Sequence, residues 1–137
     1  LAPMFGDFGW SFCCVRNPWD RMVSWYNFFR GQGKIHTCFN DWIEACFDPS
    51  QHTAKYIKPI NPQMIFVREV DYVIRYENLV EDFKVVQEKT NCFEPIGHHN
   101  KSNRTKYLDY YENNHHIKKV EEYFAEEIEF FGYKYGE

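Results

Sequence analysis

The stretch Trp10 to Val15, W-S-F-C-C-V, is a nearly continuous apolar run that breaks at Arg16-Asn17-Pro18, and this junction limits the folds open to the chain. A short run with so little polar interruption is expected of a strand buried on both faces. Asn17 carries an oxygen that can cap a helix, and Pro18, which has no N–H, suits the first helical position. From Trp19 onward, Met22, Val23, Tyr26 and Phe29 recur at helical spacing until Gly31 and Gly33 stop the pattern. The segment therefore predicts a buried strand that feeds directly into an amphipathic helix.

The remainder repeats the theme. A second helix is predicted over Phe39 to Phe47, followed by a long loop, Asp48 to Gln63, that holds Pro49, Pro59 and Pro62. Met64 to Val67 and Tyr72 to Tyr76 read as strands. Asn78 and Glu81 have capping-box spacing and open a helix to about Lys89. Asn91 to Tyr111 reads as loop. A last helix from about Asn114 to Phe131 puts Ile117, Val120, Phe124, Ile128 and Phe131 on one face, and Gly132 ends it. Two strand-then-helix units in succession predict an α/β domain with a largely parallel sheet. With no internal repeat or low-complexity tract, residues 1–137 read as a single domain. Aromatic residues make up 20% of the chain, so the core is expected to be built from rings.

Charge narrows the function. The formal net charge of −4 argues against non-specific nucleic-acid binding. Five Glu crowd between Glu121 and Glu129, whereas Lys101, Arg104 and Lys106 form a short basic cluster. A local cationic patch on an acidic protein suits a small anionic ligand. Five Cys cannot all pair within one chain; Cys13 and Cys14 read as small buried hydrophobes, and a reducing compartment is the default. Neither a signal peptide nor a membrane-spanning run is present, so no membrane segment is expected in the chain. Leu1-Ala2-Pro3 lacks an initiator Met, which predicts a true N-terminus further upstream. His36, Cys38, Cys46 and His52 are of zinc-ligand type, but their gaps match no compact zinc pattern, and no metal is expected.

The chemistry concentrates between Cys13 and Tyr26. A buried strand delivers Arg16 to the carboxyl edge of the sheet, where α/β proteins bind ligands. The helix that follows is expected to offer unpaired N–H groups and a positive dipole end. Arg16 adds a planar fork that matches a phosphate, and Ser24 can donate a hydroxyl. On the residues alone two readings stand: a phosphate pocket without a glycine loop, or a surface ion pair at Arg16 beside a solvated Ser24. Asp20 reads as a first-turn helix charge; Arg21 is either that or a further anion contact.

V-R-N-P-W-D-R-M-V-S-W-Y, Val15 to Tyr26, resembles the 3′-phosphate-binding motif of sulfotransferases that use 3′-phosphoadenosine 5′-phosphosulfate (PAPS). V-D-Y-V-I-R-Y-E-N-L-V-E-D-F, Val70 to Phe83, is similar to that family's second signature. F-A-E-E-I-E-F-F-G-Y, Phe124 to Tyr133, is similar to the closing helix of its carbohydrate-type, Golgi branch. The resemblance implies a P-loop-NTPase-like three-layer domain with a central, largely parallel sheet. It implies that Arg16 and Ser24 hold the 3′-phosphate of PAPS, and of its product adenosine 3′,5′-bisphosphate, with Arg21 nearby in the motif. It also implies that Lys101, Ser102 and Arg104 belong to a basic loop folded over the nucleotide. The implied activity is sulfuryl transfer from PAPS to a hydroxyl acceptor, expected to be a glycan. The family's loop for the 5′-phosphosulfate, rich in Lys, Gly, Ser and Thr, has no counterpart before Arg16 and is expected upstream, together with the general base. A nucleotide 3′-phosphate-binding module without catalysis, and a structural interaction domain on the same fold, are the alternatives. The resemblance leaves two compartments, cytoplasm or Golgi lumen, according to the source of the chain.

Overall fold

A computed structural model of the chain describes residues 9–48, 50, 61–97 and 104–137. It is mixed α/β and largely helical, with one two-stranded parallel sheet. Its packing divides the chain into two compact units. Residues up to Arg16 together with Gln63–Gly97 form the first, and Asn17–Pro62 together with His98–Glu137 form the second.

In the first unit, strand β1 (Phe12–Val15) pairs in parallel with β2 (Tyr72–Arg75), in a register from Phe12 opposite Tyr72 to Val15 opposite Arg75. The two strands are parallel, as two strand-then-helix units in succession predict. Asp71 pins the start of the pair. Its carboxylate accepts from the backbone N–H of Ser11 at 2.8 Å and from the Ser11 hydroxyl at 3.1 Å. Val15 and Ile74 are buried where the strands end. A single 3₁₀ turn, Tyr76–Asn78, leads into helix α4 (Leu79–Thr90). That turn changes the expected capping box. Asn78 makes no cap bond to the helix; its amide donates to Asp82 at 2.7 Å, and the other Asp82 oxygen accepts from the N–H of Arg75 at 2.7 Å.

Met64–Val67, read from the sequence as a strand, is instead one helical turn, α3. A four-residue apolar run does not by itself separate the two states. Here Gln63 takes right-handed helical dihedrals and its carbonyl accepts from the N–H of Phe66 at 2.9 Å, which closes the turn. Only Met64 of the four is buried. Cys13 and Cys14 also differ from expectation: Cys13 is half-buried and Cys14 exposed. Among the described residues β1 has only β2 beside it, so its side chains are not covered on every side.

The second unit is built on α1 (Pro18–Gly31), which buries Trp19, Met22, Val23 and Tyr26. It packs against α2 (Phe39–Phe47), against α5 (Asn114–Tyr123) and against a 3₁₀ turn at Tyr107–Tyr110. The core is aromatic, as the composition predicts. Tyr26 meets Phe39, Trp42 and Tyr110 with ring centroids 5.4, 5.6 and 6.2 Å away, and its hydroxyl donates to the carbonyl of Thr37 at 2.9 Å. The predicted final helix is two helices, α5 and α6 (Ala125–Phe131), broken at Phe124. The break is a kink. Phe124 leaves helical dihedrals, yet its N–H still bonds Val120 and its carbonyl still accepts from Ile128, both at 3.0 Å. It falls where the buried carboxylate of Glu127 meets Arg21 of α1. Gly132 ends α6 with φ of 67°, a left-handed backbone that glycine adopts without penalty. No helix among the described residues is long and apolar enough to cross a membrane.

Candidate anion-binding site

Arg16 ends the first of the two segments that make up the first unit. The parallel ladder ends at Val15, so the backbone of Arg16 needs partners from elsewhere. The side-chain amide of Gln63 supplies both: its Oε1 accepts from the N–H of Arg16 and its Nε2 donates to the carbonyl, each at 2.8 Å. Gln63 is only 5% exposed. The guanidinium lies over the ring of Tyr76, 4.0 Å from its centroid. The contact is a cation–π stack, which uses the face of the planar guanidinium.

In the second unit, the start of α1 departs from the sequence expectation of unpaired N–H groups. Pro18 has no N–H. Trp19 and Asp20 donate to Oδ1 of Asn17 at 3.1 and 3.4 Å, and Arg21 donates to the Asn17 carbonyl at 2.9 Å. Asn17 does cap the helix, and in doing so it uses the donors that an anion would need. Its Nδ2 donates in turn to the carbonyls of Lys134 and Glu137, at 3.2 and 3.4 Å.

The other candidates fall as follows. Ser24 is half-buried on α1. Arg21 is drawn into the fold: its guanidinium lies 4.3 Å from the Trp25 ring centroid and 5.8 Å from that of Phe124, and 3.9 Å from the carboxylate of Glu127. Its Nη2 donates to the Asn61 carbonyl at 2.9 Å, while Nη1 is buried without a hydrogen bond. Burial pushes its pKa down, and Glu127 opposes that shift. Arg104 bonds Asp20 at 2.5 Å, with the two side chains 13% and 17% exposed. Asp20 therefore serves as more than a first-turn charge. Lys101 and Ser102 lie outside the described residues, as do His52, His98 and His99.

Of the two histidines that open α5, His115 is exposed but His116 is not. It is 4% exposed, and its Nε2 lies 2.9 Å from Glu44 of α2. The helical stripe Ile117, Val120, Phe124 did not include it. The N–H of His116 donates to Oδ1 of Asn113 at 3.1 Å, which places His116 in the first turn of α5, the helix that packs on α2. Among the described residues no group of three or more His, Cys, Asp or Glu could hold a metal ion.

Sequence reasoning missed Gln63 and Glu127. Gln63 pairs with backbone groups, which every residue carries, so no sequence signal marks it. Glu127 sits four residues from Phe131 and three from Phe124, both buried, and that register is the one hint that its carboxylate is internal. Compared with models of protein families, with curated proteins and with solved structures, the chain finds no match in any of the three.

Proposed function

We propose that the chain carries the part of a PAPS-dependent sulfotransferase that grips the nucleotide's 3′-phosphate, on a P-loop-like three-layer fold. The reaction is sulfuryl transfer to a hydroxyl, with a glycan as the acceptor class. The acceptor oxygen bonds to sulfur as the bond from sulfur to the bridging phosphate oxygen breaks, which releases adenosine 3′,5′-bisphosphate. Arg16 is the residue proposed for the 3′-phosphate on the structure and the motif together, while Ser24, Lys101, Ser102 and Arg104 are proposed on the resemblance alone. None of them is assigned a role at sulfur.

One observation carries this reading: Arg16 follows a strand that pairs in parallel with β2, and its backbone is fixed on both sides by a buried amide. The eight-residue spacing to Ser24 and the R-Y-E-N-L segment after β2 add sequence support. Titration calorimetry of the 137-residue chain with adenosine 3′,5′-bisphosphate and with adenosine 5′-monophosphate tests it. The bisphosphate should bind more tightly. Arg16→Ala should weaken it by about 2–5 kcal/mol, roughly thirty- to several-thousand-fold, and Arg16→Lys should not restore the full affinity, because a point charge replaces a bidentate fork. Ser24→Ala should cost about 1.5–3 kcal/mol. A chain indifferent to the 3′-phosphate, or equal losses for both ligands, would overturn the proposal.

A further inference from the structure

We propose that Gln63 is a positioning residue for Arg16: its buried amide, bonded to both backbone groups of that residue, sets where the guanidinium meets the 3′-phosphate. The inference rests on the reading of Arg16 just given. Two bonds of 2.8 Å, one donated and one accepted, make the amide act as an extra rung of backbone pairing one residue past the end of the ladder. The amide is itself anchored. Gln63 opens the α3 turn, its carbonyl holds the N–H of Phe66 at 2.9 Å, and Met64 next to it is buried.

The leverage is geometric. An arginine side chain places its fork several bonds from Cα, so a small rotation of the backbone becomes a larger displacement at the guanidinium. Hydrogen bonds to an anion tolerate little of that, since they weaken steeply outside about 2.7–3.2 Å. Nothing in this requires Gln63 to touch the ligand.

Two substitutions test the assignment on the whole chain. Gln63→Met keeps length and removes both bonds. Gln63→Glu keeps the acceptor for the Arg16 N–H but, when ionised, sets a carboxylate oxygen against the Arg16 carbonyl; protonated, it regains the donor. Circular dichroism checks that each variant is folded, and calorimetry reads the affinities. Gln63→Met should bind adenosine 3′,5′-bisphosphate about ten- to a hundredfold more weakly, with affinity for adenosine 5′-monophosphate unchanged. Gln63→Glu should show a similar deficit at about pH 7.5, and its affinity relative to wild type should recover as pH falls toward the carboxyl range. A support of the fold alone would shift the melting midpoint without that recovery.

If the wild-type chain binds both nucleotides alike, the reading of Arg16 fails and this inference with it. If wild type prefers the bisphosphate but Gln63→Met matches it, or loses both ligands equally, the reading of Arg16 stands and the positioning role is overturned. Failure of both variants to fold would make Gln63 a general support of the structure and would overturn it too.

Discussion

Asn17→Ala should destabilise the chain by about 2 kcal/mol, because one buried side chain performs two separable tasks. Its Oδ1 caps α1 through Trp19 and Asp20, and its Nδ2 holds the carbonyls of Lys134 and Glu137. Loss of an Asn cap costs about 1 kcal/mol, with a range of about 0.5–2. The two Nδ2 bonds are long, at 3.2 and 3.4 Å, so together they are worth about 1 kcal/mol, the value of a single ordinary bond. With Asn17 only 2% exposed, water does not readily replace either partner. Asn17→Ser separates the tasks: the hydroxyl still caps the helix, while the terminal carbonyls lose their donor, and the cost should be about half. Asn17→Asp keeps the cap and adds a charge that the helix dipole favours, yet it turns an oxygen toward two carbonyls and should still destabilise. Urea unfolding followed by far-UV circular dichroism measures all three. A loss under about 0.5 kcal/mol for Ala, or equal losses for Ala and Ser, would show that capping is not what holds this junction.

The Arg104–Asp20 bond, between side chains 13% and 17% exposed, should give a coupling of about 1–2 kcal/mol in a double-mutant cycle by urea unfolding; a value under about 0.3 would reduce it to a surface contact. Thiol reactivity should separate the cysteines. Burial of its sulfur, and then the Glu77 carboxylate, push Cys14 from 9.0 up to about 11 although the residue as a whole is exposed, and burial raises Cys46 as well. At about pH 8 the thiolate of Cys14 is about a hundredfold scarcer than that of an ordinary thiol, so iodoacetamide should modify exposed Cys38 and Cys92 first, as peptide mass spectrometry would show. Equal rates would contradict the shift. At Glu44, the hydrogen bond from Lys119 holds the carboxyl below its usual range; His116 assists, and partial burial opposes. A lowered folded pKa means stability that is present above the unfolded value and lost as pH falls through the folded one. Wild type should therefore lose its advantage over Glu44→Gln on acidification through the carboxylate range, and a constant gap in urea midpoints would refute the link.

What the sequence shows clearly is what short-range physics decides. The Asn17-Pro18 start, the Gly132 stop and the stripe Met22, Val23, Tyr26 depend on local dihedrals and spacing, and the structure has each. The parallel pairing of β1 with β2 was legible because each strand leads into a helix, which forces a crossover. Met64–Val67 failed because four apolar residues fit either state and a bond from the Gln63 carbonyl decided it. The kink at Phe124 failed for a different reason: the stripe Val120, Phe124, Phe131 stays buried through it, so helical periodicity carries no mark of the local change in dihedrals.

The candidate site was legible only to the first step, and the reason lies at the start of α1. An anion drawn to a helix terminus gains about 0.3–1 kcal/mol from the dipole. Here it would first have to displace Oδ1 of Asn17 from Trp19 and Asp20, at a cost of about 1 kcal/mol. The two terms cancel, and the helix end contributes nothing net. Asp20, a carboxylate in that same turn, makes the balance worse for an anion, although its bond to Arg104 blunts the charge. On the reading proposed above, recognition of a phosphate therefore rests on side chains, not on the backbone donors of this helix end. Arg21 is committed to Glu127 and two rings, and Arg104 to Asp20. Arg16 has its backbone fixed by Gln63 and its face set on Tyr76. That hold on the backbone of Arg16, which no spacing rule could supply, is why the weight of the proposed reading falls on this residue.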